Sequence, residues 1–270
     1  MSENIRCPVS ASHGTPGLDF VKDGLRVYRC GTCGTYVADA EYEETHYVDA
    51  AAEQIALTVD ELLGRWGYRW GVILDAVSAV CPPPATLLDV GAGTGGFVYL
   101  ACRRGYDATG VTMAGRDADY ACETLGVQVS EGRFEELGSG EYDVVAANSV
   151  VEHVGDPGRL VACMARLVRP GGCVALTTPN PRAYRRLLLG SCRWKMFRAE
   201  HLCILSRRGL EELVRGVGLE PESYVTASMY LKGVERCFGP LAPHARATIA
   251  CVIRSLGVGG DQILVAKRPM

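Results

Sequence analysis

The feature that most constrains this chain is an alternation. From residue 86 onward, short runs rich in Val, Ile, Leu and Thr alternate with segments of helical periodicity. The strand-like runs are 86–91, 107–112, 126–131, 142–149, 172–179, 222–228 and 261–268, and helical segments fall at about 94–104, 117–125, 157–168 and 207–216. Near-continuous apolar strands need cover on both faces, and helical crossovers supply it. The expected class is therefore α/β, with a seven-stranded, mostly parallel sheet and helices on both sides.

At the end of the first run stands "DVGAGTGG" (89–96). A strand, a glycine-rich turn and a helix build a ligand site at the strand's carboxyl end, because glycine lets the backbone bend sharply and approach a ligand. Two patterns fit. G-x-G-x-x-G runs through Gly91, Gly93 and Gly96, and predicts a dinucleotide with a pyrophosphate. G-x-G-x-G runs through Gly91, Gly93 and Gly95, and predicts a cofactor without one. A dinucleotide site wants an acid about 20 residues on, to hold ribose hydroxyls. Thr112 stands there, so the dinucleotide reading is the poorer one.

The later runs sharpen this. "LLDVGAGTGGF", "EYDVVAANSVVEHVGDP", the segment "MARLVRPGG" (164–172) and "AEHLCILSRRGLEELVRGVGLEPE" (199–222) occur in that order. Together they resemble class I S-adenosylmethionine-dependent methyltransferases, in the branch of the ubiquinone-type O-methyltransferases and many natural-product enzymes. The resemblance covers residues from about 86 to 270 and implies a Rossmann-like domain with S-adenosylmethionine as cofactor. It implies that Asp89, Gly91, Gly93 and Gly95 contact the methionine and ribose end, and that Asn148 faces the methionine. Thr112 and Met113 take the places of the ribose-binding acid and its apolar neighbour on the adenine. A threonine hydroxyl offers one neutral hydrogen bond where a carboxylate offers two charge-assisted ones. Arg133 stands where many relatives carry an acid, leaving Phe134 to pack on the adenine.

Transfer to a hydroxyl usually needs a base, and histidine suits neutral pH. The candidate catalytic residues are Glu152, His153 and His201, on the two segments that resemble family active-site regions. A backbone-bonding role for either histidine is the competing reading. The upstream position that is an acid in metal-assisted relatives is Ser149, which speaks against a catalytic metal. A basic insert, "PRAYRRLLLGSCRWKMFR" (181–198), interleaves Tyr184, Trp194 and Phe197 with arginines and lysine. It suits an anionic acceptor held by arginine forks, or else is a solvated amphipathic helix.

Upstream, Cys30-Gly31-Thr32-Cys33 forms a tight C-x-x-C knuckle, with Cys7 and His13 before it. Three thiolates and one imidazole suit a tetrahedral structural zinc. The segment resembles zinc ribbons that precede some bacterial methyltransferase domains, with Ser10 where a cysteine is usual and His13 as the substitute ligand. A redox pair and a metal-free loop remain as alternatives, although no thioredoxin-like pattern surrounds the knuckle. Most of the other cysteines, such as Cys102, Cys122, Cys163 and Cys251, sit singly in apolar patterns, as small buried hydrophobes do.

The organisation expected is 1–40 zinc-ribbon-like, 41–82 a helical linker or cap, and 83–270 the cofactor-binding domain, with a substrate insert at 180–205. Of 270 residues, 48% are hydrophobic and the formal net charge is −3, which speaks against a nucleic-acid-coating surface. No signal sequence and no membrane-length apolar run is visible, so a cytoplasmic location is expected. The expected function is methyl transfer to a small-molecule acceptor, most simply a hydroxyl of a sugar or secondary metabolite. The alternatives are N- or C-methylation, an rRNA methyltransferase with a zinc finger, and a non-catalytic binding module.

Overall fold

The structure is a computed structural model that describes residues 5–40, 57–190, 195–227 and 242–270. Residues 41–56 of the expected helical cap, and Trp194 of the basic insert, lie outside the described residues.

The chain begins with a hairpin, β1 (Gly17–Lys22) and β2 (Leu25–Arg29). Asp23 and Gly24 both have positive φ at its tip, the two-residue turn whose twist matches paired strands. The C-x-x-C knuckle then leads to β3 (Tyr36–Ala38), antiparallel to β2.

A turn of helix at Val59–Leu62 opens with a capping box between Thr58 and Glu61. It runs through a π-helical turn, Leu63–Gly67, into α1 (Tyr68–Ser78). Gly64 and Gly67 both lie in that π turn. Helix α1 is more than a linker: Trp70, Val72, Ile73, Leu74 and Val77 are buried in the main core.

The strands β4 (Thr86–Val90), β5 (Asp107–Thr112), β6 (Gln128–Glu131), β7 (Tyr142–Asn148) and β8 (Val168–Pro179) run parallel. Between them lie α2 (Gly96–Arg103), α3 (Gly115–Tyr120) and α4 (Pro157–Leu167). Asp156 caps α4 by accepting from the Arg159 amide, with Pro157 at the first helical position. The insert follows with α5 (Tyr184–Leu189) and the two-residue β9 (Cys203–Ile204). Helix α6 (Arg207–Gly216), β10 (Glu220–Ala227), α7 (Ala242–Ser255) and β11 (Asp261–Lys267) complete the chain.

The large sheet has the order β10-β11-β8-β7-β4-β5-β6, and β11 runs against both of its neighbours. This is the seven-stranded α/β fold expected. Alternate residues of each strand feed two cores. Leu87, Val144 and Val265 face one with α1 and α2, while Leu88, Val145 and Leu264 face the other with α4 and α6. After β4 the chain builds outward through β5 and β6, then returns to add β7 on the other side. The carboxyl ends of β4 and β7 therefore flank a topological switch point, where such sheets open a crevice.

The second sheet joins two parts of the chain that lie far apart in sequence. Its order is β1-β2-β3-β9, and β9 comes from the insert, pairing Tyr36 with Ile204 and Val37 with Cys203. Phe197 of the insert packs edge-on against Phe20 at 4.8 Å and Tyr36 at 5.3 Å, beside Val27 and Ile204. Burying such a phenylalanine contributes roughly 1.5–3 kcal/mol. Phe197 thus fastens the insert to the N-terminal sheet. Among the described residues no helix is long and apolar enough to cross a membrane.

Candidate active site and metal centre

A cavity of about 370 Å³ opens at the switch point. Its floor is the glycine turn. Gly91 has φ +78°, and a side chain there would come within 2.5 Å of Val150 Cγ2. Asp89, near the end of β4, lines the cavity and is 1% exposed, and its Oδ1 has no hydrogen-bond partner. Burial pushes its carboxyl up to about 8. Such a group calls for a donor from whatever fills the cavity.

Gly91, Gly93, Thr112, Met113, Phe134 and Asn148 of the expected cofactor set also line the cavity. Gly95 does not: it turns away at φ +78°, and its added Cβ would lie 2.7 Å from Ala121. Gly96 takes the cavity position, its face filled by Trp70. The third glycine of the turn is thus required by helix packing, and the fourth by the cavity wall.

The far wall was not legible in the sequence. Trp66 of the π turn, and Arg69 and Trp70 of α1, close it. Buried Arg69 donates to Ser149 Oγ at 2.5 Å and pairs with Asp261 at 3.0 Å. Ser149 itself holds φ +57°, a left-handed conformation that side-chain-bearing residues seldom take and that clusters at functional sites. Asp117 of α3 also lines the cavity, as do Arg198 and Glu200 of the insert, which pair at 3.7 Å. Arg198 is the one residue of the basic insert 181–198, among those described, that reaches the cavity; Arg186 instead donates to Tyr36 Oη at 2.6 Å.

His153 lines the cavity, whereas Glu152 and His201 stand behind it. The two imidazoles meet edge to face with centroids 4.7 Å apart. Nδ1 of His153 bonds the Glu200 carbonyl at 2.7 Å, and Nδ1 of His201 the Met196 carbonyl at 2.6 Å. A carbonyl only accepts, so Nδ1 carries the proton in each ring and Nε2 is the basic nitrogen. Burial, reinforced by His201, depresses His153 to about 3, and burial takes His201 to about 4. Both rings are neutral at neutral pH. Glu152 is 1% exposed, with Oε1 3.9 Å from His153 Nε2. Burial raises its carboxyl to about 7, against the pull of Arg69.

A second cluster lies at the knuckle between β2 and β3, joined by Cys7 and His13 from before β1. Cys7 Sγ is 3.2 Å from His13 Nδ1 and 3.6 Å from Cys33 Sγ, and Cys30 Sγ is 3.7 Å from the same Nδ1. All four ligand atoms lie within 4.8 Å of one another. Zinc–sulfur bonds of about 2.3 Å give tetrahedral edges of roughly 3.8 Å, so the spacing fits zinc. On the ring's other side, Nε2 of His13 meets Glu212 of α6 at 3.1 Å, the carboxylate partner that metal-bound histidines commonly have.

Residues 64–224 match the sequence profile of a family described as "Methyltransferase domain". A ubiquinone biosynthesis O-methyltransferase of Pseudomonas paraeruginosa is 34% identical over 139 residues, 47% of this chain and 56% of that protein. The chain spans about half the length of the curated relatives it matches. Among solved structures, a chain from a complex of a Haloferax volcanii methyltransferase with its activator aligns with a TM-score of 0.59 and 18% identity. That alignment covers 83% of this chain and 98% of the other. A SAM-dependent methyltransferase of Thermotoga maritima aligns at 0.57 and 18%, with the same coverage.

Proposed function

This chain belongs to the S-adenosylmethionine-dependent methyltransferase family, and from that premise we propose that it methylates a hydroxyl group of a small molecule. The acceptor class proposed is a sugar or secondary metabolite, with an anionic group within reach of Arg198. The observation that carries the reading is His153, a neutral imidazole on the wall of the cavity that Asp89 and the glycine turn floor.

The residues fit the cofactor. Asp89, buried with an unpartnered oxygen, would accept from the amino group of the methionine part. Arg69, which already pairs with Asp261, would lie near the carboxylate beside Ser149, and Met113 and Phe134 would give apolar surface to the purine. Bound, S-adenosylmethionine supplies an electrophilic methyl on a positive sulfur.

The protein's own tasks are then alignment and proton transfer. His153 Nε2 takes the hydroxyl proton as the acceptor's oxygen becomes nucleophilic. Ionised Glu152, 3.9 Å away, stabilises the imidazolium that forms, and His201 holds the ring's orientation from the edge. We further propose that Cys7, His13, Cys30 and Cys33 hold a structural zinc.

The test is transfer of labelled methyl from the cofactor to a panel of phenols, sugars and amines, with RNA as a further arm. Label found on hydroxyl oxygen supports the reading. Label confined to nitrogen, carbon or RNA overturns it.

A further inference from the structure

We propose that Asp117 holds the ribose diol of the cofactor, taking over the task of the carboxylate that this chain lacks at the end of β5. The inference rests on the cofactor reading above.

The crevice fixes the order of subsites. Across its edge the strands run β7, β4, β5, β6. Arg69 and Ser149 mark the β7 end, where a carboxylate belongs, and Phe134 marks the β6 end, where a flat ring belongs. The middle of an elongated nucleoside therefore lies over the end of β5. The residues that β5 and its following helix present there are Val111, Thr112, Met113, Ala114 and Asp117.

Asp117 is the group in that set with unmet chemistry. Its side chain is 3% exposed, lines the cavity, and leaves Oδ1 without a hydrogen-bond partner. Arg116 approaches no closer than 3.8 Å. A carboxylate buried in this way needs donors, and two adjacent hydroxyls supply one to each oxygen. The other acid at hand is Glu131, paired in register with Thr112 at the end of β6. It is exposed and lies off the cavity wall, so it does not serve. Thr112 contributes at most its single hydroxyl.

Calorimetry with S-adenosylhomocysteine and its 2′-deoxy and 3′-deoxy analogues decides the point. Wild type is expected to bind the parent and to lose roughly 10- to 100-fold toward an analogue that lacks a hydroxyl. Asp117→Asn is expected to weaken parent binding by a similar factor and to bind parent and analogue almost alike. Its unliganded melting temperature should equal or exceed wild type, because a buried carboxylate with an oxygen lacking a hydrogen bond is removed; a structural role would lower it. Thr112→Asp placed on Asp117→Asn should restore the discrimination. Should Asp117→Asn not fold, discrimination tested on Asp117→Ser decides instead. Retained affinity and discrimination in the variant that folds overturn the Asp117 assignment alone. A wild type that fails to bind S-adenosylhomocysteine overturns the cofactor reading with it.

Discussion

Ser206 Oγ donates to the carbonyl of Cys33 at 2.5 Å and accepts from the Gly209 amide at 2.9 Å. One hydroxyl thereby caps α6 and ties it to the cysteine knuckle. On the same helix Glu212 meets His13, and just before it β9 completes the small sheet. The segment that carries His201 is thus clamped between the cluster and the main domain.

Removing metal should therefore be felt at a distance. Chelation is expected to lower the melting temperature and to make the 180–205 insert sensitive to protease before the main domain is cut. Ser206→Ala should cost about 1–2 kcal/mol through the lost cap and should sensitise the same insert. Stoichiometric zinc in untagged protein, together with this cleavage order, is the check; uniform cleavage would argue that the cluster is independent of the insert.

The histidine pair makes a kinetic prediction. His153→Ala should lower kcat by about 10²–10⁴ with cofactor affinity unchanged. His201→Ala should lower it less, since that ring touches His153 and not the cavity. With both histidines titrating only near 3 to 4, neither sets an acid limb near neutrality. Glu152 does: its carboxyl titrates near 7 and must be ionised to support the imidazolium, so the rate should rise with pH through that range. Glu152→Gln should flatten the limb and lower its plateau, as a pH–rate profile would record.

What the sequence made legible follows from how local each signal was. The seven long strands and α4 carry their own apolar runs and caps, so pattern alone placed them. Strand β9 has two residues, and its pairing with β3 is a tertiary fact that no local period carries. Arg69 carries no local signal: it lies in the segment 41–82 expected as a helical linker or cap, and only the packing of Trp70 and Ile73 beside it turns it to the cavity. Asp117 was hidden because a helix can aim a side chain back toward a strand end five residues earlier, and only the packed α3 sets that aim.

Asp89 links stability to pH. Its folded-state carboxyl lies near 8, well above the ordinary value of 3.8, so the folded protein binds the proton more tightly than the unfolded chain. That contribution is fully present below about pH 4 and is lost as pH rises through 8. Buried His153 and His201 act oppositely: they favour the folded state above about 6.5 and lose that contribution as pH falls toward 3 to 4. Subtracting a variant isolates the first effect. Asp89→Asn is expected to raise the unliganded melting temperature at pH 8, by about 2–4 °C per kcal/mol recovered, and to change it little at pH 5. The same variant should bind S-adenosylhomocysteine poorly.

The turn's glycines separate fold from ligand. An alanine at Gly95 keeps φ +78° and brings its Cβ within 2.7 Å of Ala121 and 3.2 Å of Val127 and Val129. These are core atoms with nowhere to retreat, so Gly95→Ala should destabilise by about 1–3 kcal/mol or more. At Gly93 an added Cβ meets nothing within 4 Å of protein, because that position borders the cavity. Gly93→Ala should cost only about 1 kcal/mol of backbone strain yet obstruct the ligand. Thermal melts and calorimetry on the two variants should give opposite rankings: Gly95→Ala worse in stability, Gly93→Ala worse in affinity among molecules that remain folded. Equal rankings would mean that the turn does not divide its work between helix packing and ligand approach.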